Sequence, residues 1–178
     1  MQPMRGRFDK IALALVGGAA LVAGGAYLLA VEQQYAERRE IASTLSAPAL
    51  WAELATAFRD STQSALWPQA LEALRSDGLT EGATVQAAYR MPGGESRQAS
   101  TIAEFVDGQG FTYATGPEHP LRGGGRVLVL PTPDGAKLIW SVDYTWRGLS
   151  PAALFVRLYF VPRFFRELEA NLHSLELR

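Results

Sequence analysis

Few side chains of this 178-residue sequence have types and spacings that suit catalysis or metal binding. Cysteine is absent, which excludes thiolate nucleophiles, zinc–thiolate sites, iron–sulfur clusters and disulfide bonds. The two histidines, His119 and His173, do not show metal-like spacing. His119 could act as a general base, but we expect a solvated loop residue, and His173 lies near the end of a predicted helix, where a cation favours the helix dipole. We therefore expect neither a metal nor another cofactor.

Glu104 is the acidic residue with the strongest case for a catalytic role. In the predicted strand 96–106 it shares a face, by alternation, with Ile102 and Val106, so it could project into the interior of the domain. A carboxylate in that position would need a partner or a raised pKa. Tyr113 or Tyr144 could complete an acid–base pair with it. The sequence has no G-x-S-x-G motif that would indicate a serine hydrolase instead.

A second group of residues suits ligand binding. Tyrosine and tryptophan offer an apolar ring with one hydrogen-bonding atom, which fits an amphiphilic small molecule. The alternative interpretation of each residue is ordinary core packing. The candidates for lining a cavity are Tyr89, Glu104, Tyr113, Trp140, Tyr144, Phe155, Tyr159 and Phe164.

Residues 11–31 form an uncharged, apolar run of 21 residues behind a basic N-terminal flank, residues 1–10. A helix of that length spans about 30 Å, the thickness of the bilayer's hydrocarbon core. The alternative is a cleaved signal peptide, but the run exceeds the usual apolar core of about 7–15 residues and no A-x-A site follows it. We therefore predict a transmembrane helix at 11–31 and a bilayer as one partner of the chain.

Basic residues around the run set the expected orientation. Arg5, Arg7 and Lys10 precede it, whereas Arg38 and Arg39 follow it, so the positive-inside rule favours a cytoplasmic N-terminus. We expect a single-pass protein of the cell (inner) membrane with its domain outside the cytoplasm. Small residues spaced four apart in the run would also allow a weak homodimer through this helix.

The remaining chain has the composition of one globular domain. Apolar residues make up 48% of the sequence and the net charge is −1, so a nucleic-acid partner is not expected. We interpret 32–39 as a linker and 40–178 as the domain. Hydrophobic periodicity predicts strands and helices in the following order: strand 40–46, a helix capped by Ser46, a short helix Pro68–Arg75, strands 83–91, 96–106 and 111–116, a loop 117–125, strands 126–131 and 136–146, and a helix 150–178.

Two details of this pattern concern the shape of the domain. Pro162 interrupts the long C-terminal helix, which predicts a kink or a break near Tyr159–Val161. Gly123-Gly124-Gly125 lacks the lysine of a phosphate-binding loop, and we expect a flexible lip near a cavity mouth. The predicted fold class is α+β, with a curved antiparallel sheet of six or seven strands around the C-terminal helix.

Four stretches of this sequence resemble the START-like, or SRPBCC, superfamily of polyketide cyclase/dehydrase-type proteins, which has the helix-grip fold. They cover about residues 40–177, and their order and spacing carry the resemblance. The stretches are SAPALWAELATAFRD (46–60), Trp67 followed by LEALRSDGLTEGATV (71–85), LPTPDGAKLIWSVDY (130–144) and LYFVPRFFRELEANLHSLE (158–176).

The resemblance implies a domain that binds an apolar molecule, such as a lipid, quinone or polyketide-like compound, between sheet and C-terminal helix. A minority of the superfamily are enzymes, so a cyclase or hydrolase acting on an apolar substrate is one alternative. A non-catalytic envelope or assembly protein is the other. The fold alone does not choose among them.

Overall fold

The computed structural model describes residues 31–68, 73–91, 94–116, 119 and 121–177. Residues 11–30 of the predicted transmembrane helix lie outside this part of the chain. Within it, no helix has the length and apolar character needed to cross a bilayer. The strands are β1 (Glu32–Ser43), β2 (Ala73–Ser76), β3 (Thr84–Met91), β4 (Gly94–Val106), β5 (Gly110–Thr115), β6 (Arg122–Thr132) and β7 (Gly135–Arg147), and the helices are α1 (Ala47–Arg59), α2 (Pro151–Phe155) and α3 (Val161–Glu176), with a 3₁₀ turn at Ser61–Gln63 and a π-helical turn at Val156–Phe160.

The seven strands form one antiparallel sheet in the order β1-β7-β6-β5-β4-β3-β2. Strands β2 to β7 follow one another as hairpins, and β1 returns to pair with β7 along its whole length, from Glu32 opposite Arg147 to Ser43 opposite Ala136. One face of this sheet is apolar and packs against α1 and α3. The architecture is therefore α+β and helix-grip-like, as the sequence predicts.

Capping and periodicity explain the helices that cover the sheet. Ser46 caps α1 by accepting a hydrogen bond from the Ala49 N–H, and Leu50, Leu54 and Phe58 place a buried stripe against the sheet. Helix α3 buries its own stripe, which consists of Val161, Phe164, Phe165, Leu168 and Leu172.

The predicted interruption of the C-terminal helix is confirmed. The N–H of Val161 bonds to the carbonyl oxygen of Val156, five residues earlier, which widens the helix into a π turn. Pro162 follows immediately and has no N–H to offer to the turn before it. The helix therefore changes its pitch just before the residues that enter the core.

Three predicted elements are wrong. Residues 32–39 are not a linker but the first part of β1. Exposed and half-buried side chains alternate along this edge strand, with Tyr35 and Glu37 among the half-buried ones. Residues 73–75 of the predicted helix Pro68–Arg75 belong to strand β2 (ALRS), since a segment of four residues is too short to distinguish the helical period from the strand period. Gly123–Gly125 lie inside β6 and not in a loop.

Candidate functional site

A cavity of about 90 Å³ lies between the apolar face of the sheet and the C-terminal helices. Aromatic side chains form most of its wall, and the smaller residues come from β3, β4 and β7. The lining residues are Phe58, Trp67, Val85, Ala87, Gln98, Ser100, Tyr113, Trp140, Val142, Tyr144, Phe160, Val161, Phe164 and Phe165.

Strand register explains which sheet residues reach the cavity. On β3 and β4, Val85 lies opposite Ser100 and Ala87 opposite Gln98, so all four point to the same face. On β7, Trp140, Val142 and Tyr144 face inward by the alternation that the sequence predicts.

A hydrogen-bonded group of three aromatic residues forms the polar part of the wall. The indole Nε1 of Trp140 donates to the hydroxyl of Tyr113 over 3.2 Å, and Tyr144 also hydrogen-bonds to Tyr113. Burial raises the pKa of the Tyr113 hydroxyl, while the bonds with Trp140 and Tyr144 act in the opposite direction. Tyr113 is therefore a neutral hydroxyl at physiological pH, suited to hydrogen bonding a ligand and unsuited to act as a base.

Gly125 makes room for Tyr113. The two residues are directly opposite each other across β5 and β6, and a Cβ on Gly125 would overlap the Tyr113 hydroxyl and the backbone oxygen of Ser141. The glycine-rich part of β6 thus allows the tyrosine ring to lie against the strand. Sequence reasoning missed this role, although a glycine run beside an inward-facing tyrosine is the signal that could have indicated it.

Trp67 is a wall residue that the sequence analysis did not name as a ligand contact. Its ring packs edge-to-face against Phe58 at 5.0 Å and lies 5.9 Å from Phe164. The side chain is 6% exposed, and its indole N–H has no acceptor among the residues that the structure describes. A buried donor without an acceptor costs about 1–3 kcal/mol, so this atom marks a place where a ligand acceptor would be favourable.

The predicted site residues separate into two groups. Tyr113, Trp140, Tyr144 and Phe164 line the cavity together. Phe155 is half-buried against the edge of the core, 5.3 Å from the Tyr159 ring, and Tyr159 itself is exposed. The structure therefore does not place Phe155, Tyr159 or Glu104 in the wall, and the side chain of Tyr89 lies outside what it describes.

Glu104 is exposed because a β-bulge reverses the alternation of β4. Ile102 lies opposite Tyr113, but Glu104 lies opposite Thr112, which leaves Ala103 as the extra residue. As a result Phe105 turns inward and packs 6.0 Å from the Trp51 ring, whereas the Glu104 carboxylate faces solvent. The expectation that Glu104 projects into the interior is wrong.

The cavity wall carries no formal charge among the residues described. Its polar groups are the amide of Gln98, the hydroxyls of Ser100, Tyr113 and Tyr144, and two indole N–H groups. In the same part of the chain, no cluster of three or more histidine, aspartate or glutamate side chains could hold a metal ion. The geometry thus suits an uncharged, largely apolar molecule with a hydrogen-bond acceptor.

Comparison with known proteins bears on the fold. No protein-family model and no curated protein sequence matches this chain. Among solved structures, Ara h 8.0201 is similar with a TM-score of 0.57 and 11% identity, over 83% of this chain and 99% of the other. A norcoclaurine synthase point mutant from Thalictrum flavum, in complex with a transition state analogue, has a TM-score of 0.55 and 14% identity, over 83% of this chain and 95% of the other. A Staphylococcus aureus protein of unknown function has a TM-score of 0.60 and 8% identity, over 83% of this chain and 98% of the other.

This chain shares their fold. Ara h 8.0201 and norcoclaurine synthase have folds of the SRPBCC type, so the resemblance found in the sequence holds at the level of architecture. At identities of 8–14% the comparisons describe the fold alone. The function is argued from the cavity.

Proposed function

We propose that this helix-grip domain binds an apolar or lipid-like small molecule in the cavity between the sheet and the C-terminal helix. The observation that carries the proposal is the wall itself. It is aromatic and uncharged, it includes the hydroxyl-bearing residues Tyr113 and Tyr144, and one of its residues, Trp67, has a buried N–H without an acceptor among the described residues. An apolar molecule with one acceptor atom, such as a carbonyl oxygen, would satisfy that donor and bury its remaining surface against the rings.

The size of the cavity limits how such a ligand is held. A volume of about 90 Å³ is well below the roughly 300–1,000 Å³ typical of pockets for drug-sized molecules. We therefore propose that only a slender part of the ligand, such as an acyl segment or one ring, fits the closed form. The π turn at Val156–Phe160 contains the lining residue Phe160 and directly precedes the lining residue Val161. Since π turns are frequent at functional sites, we propose that this turn is the element of the wall that moves.

Solvent extraction of the purified full chain, followed by mass spectrometry, tests ligand binding. Ala87→Leu places a branched side chain in the cavity, and Ala114→Leu makes the same change at an exposed position on the outer face. We expect an apolar molecule to co-purify with the wild type and Ala114→Leu chains and to be lost from Ala87→Leu. Equal recovery from all three would contradict a site in the cavity.

Trp67→Phe refines that test, because it removes the N–H and keeps an aromatic ring. A ligand acceptor bonded to Trp67 would lose roughly tenfold in affinity. Trp51→Phe is the matched control, since the Trp51 N–H already donates to Asp107 over 2.9 Å. Unchanged recovery of the ligand from Trp67→Phe would exclude Trp67 as the ligand's donor.

A second candidate is a non-catalytic envelope or assembly protein. Two observations favour it, namely the small interior and the exposed apolar side chains Leu154 and Leu158 at the start of the C-terminal helix. It predicts no co-purified small molecule. The enzyme alternative is weaker, because Glu104 was its proposed acid and faces solvent.

Membrane anchoring by residues 11–31 is also part of the proposal. It is supported by the length and the uncharged composition of that run.

By the bias of basic residues, we propose that the N-terminus is cytoplasmic and the domain lies outside the cytoplasm. A reporter that is active only outside the cytoplasm, fused after residue 178, should be active, and activity of a cytoplasm-only reporter would reverse the orientation. Crosslinking in the membrane would test the weak homodimer through this helix.

A further inference from the structure

Exposed apolar side chains concentrate at the junction between the sheet and the C-terminal helix. Within the described chain, seven large apolar residues are exposed, and four of them lie between residues 149 and 159. They are Leu149, Leu154, Leu158 and Tyr159, which we call the junction patch. Leu154 and Leu158, four residues apart, leave two leucines exposed at neighbouring positions, and Leu158 is 71% exposed.

The junction patch lies beside the point where the chain leaves the predicted transmembrane run. The N–H of Gly148, directly before Leu149, donates to the carbonyl oxygen of Val31 over 3.1 Å. The side chain of Gln33 donates to the carbonyl oxygen of Gly148 over 3.2 Å. Val31 is the last residue of the apolar run 11–31, so the end of that run is held against the first residue of the patch.

A third contact fixes the π turn to the same end of the domain. The guanidinium carbon of Arg157 lies 5.9 Å from the centre of the Tyr35 ring on β1. Tyr35 lies four residues beyond Val31, so the residue directly before Leu158 contacts the first half of β1. Leu149 and Leu158 thus each lie next to a residue that contacts β1 or the residue before it.

The charges and residue types around the patch match a lipid surface. Arg147, two residues before Leu149, and Arg157, directly before Leu158, are exposed, and basic residues of this kind attract anionic headgroups. Tyr159 is exposed and receives a hydrogen bond from Arg163 over 2.9 Å. Its ring packs 5.3 Å from the Phe155 ring and is still exposed. An exposed tyrosine of this kind is typical of the interface between headgroups and hydrocarbon.

We infer that the junction patch lies on the bilayer surface, so that the π turn and the helix entrance to the cavity face the lipid. The inference rests on the proposed anchor at 11–31, which would hold the patch within a few residues of the membrane. Phe160 and Val161 line the cavity directly after Leu158 and Tyr159. A displacement of the π turn into the lipid would connect the bilayer with the cavity without passage of the ligand through water.

Single-cysteine labelling tests this placement, because the chain contains no cysteine of its own. Leu158→Cys and Leu154→Cys carry an environment-sensitive fluorophore. The full chain is reconstituted in vesicles of phosphatidylcholine and phosphatidylglycerol that contain a lipid spin-labelled near its headgroup. Leu177→Cys is the matched control. Leu177 is 77% exposed and lies roughly 28 Å farther along the helix at 1.5 Å per residue.

We expect the spin-labelled lipid to quench the fluorophores at 154 and 158 several-fold more strongly than the one at 177. Equal quenching at all three positions, or no quenching at 158, would overturn the inference. So would burial of the 158 fluorophore against a second copy of the chain, seen as shielding from both lipid and aqueous quenchers.

Flotation of the same vesicles separates this inference from the proposed anchor. If the chain floats with the vesicles but position 158 is not quenched, the anchor stands and the lipid-facing patch is wrong. If the chain does not float, the anchor is wrong and the placement of the patch falls with it.

Discussion

At the scale of single residues, the polar side of the cavity depends on a glycine, Gly125, which has no side chain. Tyr113 reaches Trp140 and Tyr144 only because Gly125 leaves space for its ring across the strand. The three hydroxyl and indole groups therefore form one unit, whose geometry is set by backbone register. A substitution at Gly125 should therefore disturb all three of these groups.

Gly125→Ala should displace the Tyr113 ring and break its hydrogen bond with Trp140. We expect a loss of about 1–3 kcal/mol in the free energy of unfolding, typical of overpacking in a core, together with a change in tryptophan fluorescence. Gly116→Ala is the matched control, because a Cβ there would make only an ordinary contact at 3.9 Å with the Ala99 oxygen. Thermal unfolding of the full chain in detergent measures both. Equal stability of the two variants would contradict the role of Gly125.

Tyr35 makes alkaline pH a second test at this scale. Burial, followed by a hydrogen bond to Glu37, raises the pKa of Tyr35 from 10.0 to about 12. The unfolded chain therefore loses this proton first, so the contribution of Tyr35 to stability is complete below pH 10 and is lost as the pH rises towards about 12.

Urea unfolding at a series of alkaline pH values, together with phenolate absorbance, measures the effect of Tyr35. We expect Tyr35→Phe to reduce the decline in stability over this interval. Glu37→Gln should lower the pKa of Tyr35, because it removes a negative charge and a charged acceptor 3.0 Å from the hydroxyl. Glu32→Gln, at an exposed position, is the control. If stability falls with rising pH in the same way for the wild type and Tyr35→Phe, Tyr35 has the same pKa in the folded and unfolded chain, and the prediction is wrong.

At the scale of elements, one extra residue decides the role of Glu104. Simple alternation places Glu104 with Ile102 on the core face, and the bulge at Ala103 transfers that position to Phe105. The same bulge keeps a carboxylate off the apolar face of the sheet. The sequence pattern does not reveal the bulge, because Ala103 and Glu104 are both residue types that tolerate exposure to solvent.

Deletion of Ala103 should remove the bulge without turning its neighbours over, because Ile102, Glu104 and Phe105 then alternate with the partners that they already have on β5. Phe105 would keep its contact with the Trp51 ring, and we expect a loss of no more than about 1 kcal/mol in the free energy of unfolding. In a strand without the bulge, the same deletion would turn the later residues of β4 to the opposite face and cost at least about 3 kcal/mol. Ala103→Ser, which keeps the chain length, is the control. Calorimetry of the full chain in detergent compares the two variants, and a deletion that costs about 3 kcal/mol or more would refute the bulge.

The elements differ in how far the sequence predicts them. Strands β3 to β7 and helices α1 and α3 follow from strong periodicity and clear caps, such as Ser46 before Leu50. The predicted strand 40–46 covers only the end of β1, because residues 32–39 lie on an exposed edge and are rich in charged and polar side chains. Strand β2 was predicted as part of a helix, because its four residues fit either periodicity. Within the site, Trp140, Tyr144 and Phe164 follow from alternation or helical spacing. The roles of Gly125 and Trp67 depend on contacts between distant segments, which periodicity does not encode.

At the scale of the whole molecule, β1 connects the N-terminal run to the last strand of the sheet. Its pairing with β7 brings Val31 to Gly148, and Gly148 leads through the junction patch and the π turn into the cavity wall. The proposed anchor, the lipid-facing patch and the proposed binding site would thus lie along one path. This arrangement gives a physical reason for a helix-grip domain to be held at a membrane.

Photo-crosslinking tests the claim of a ligand cavity most directly. The full chain in vesicles is irradiated with a fatty-acid methyl ester, an uncharged molecule that carries a diazirine in the middle of its acyl chain, and the modified residues are located by mass spectrometry. We predict labels on cavity-lining residues such as Val85, Val142 and Phe164, present in Ala114→Leu and absent in Ala87→Leu. Labels confined to residues 11–31 and to the junction patch, with none in the cavity wall, would contradict the account and favour an assembly protein with a filled core.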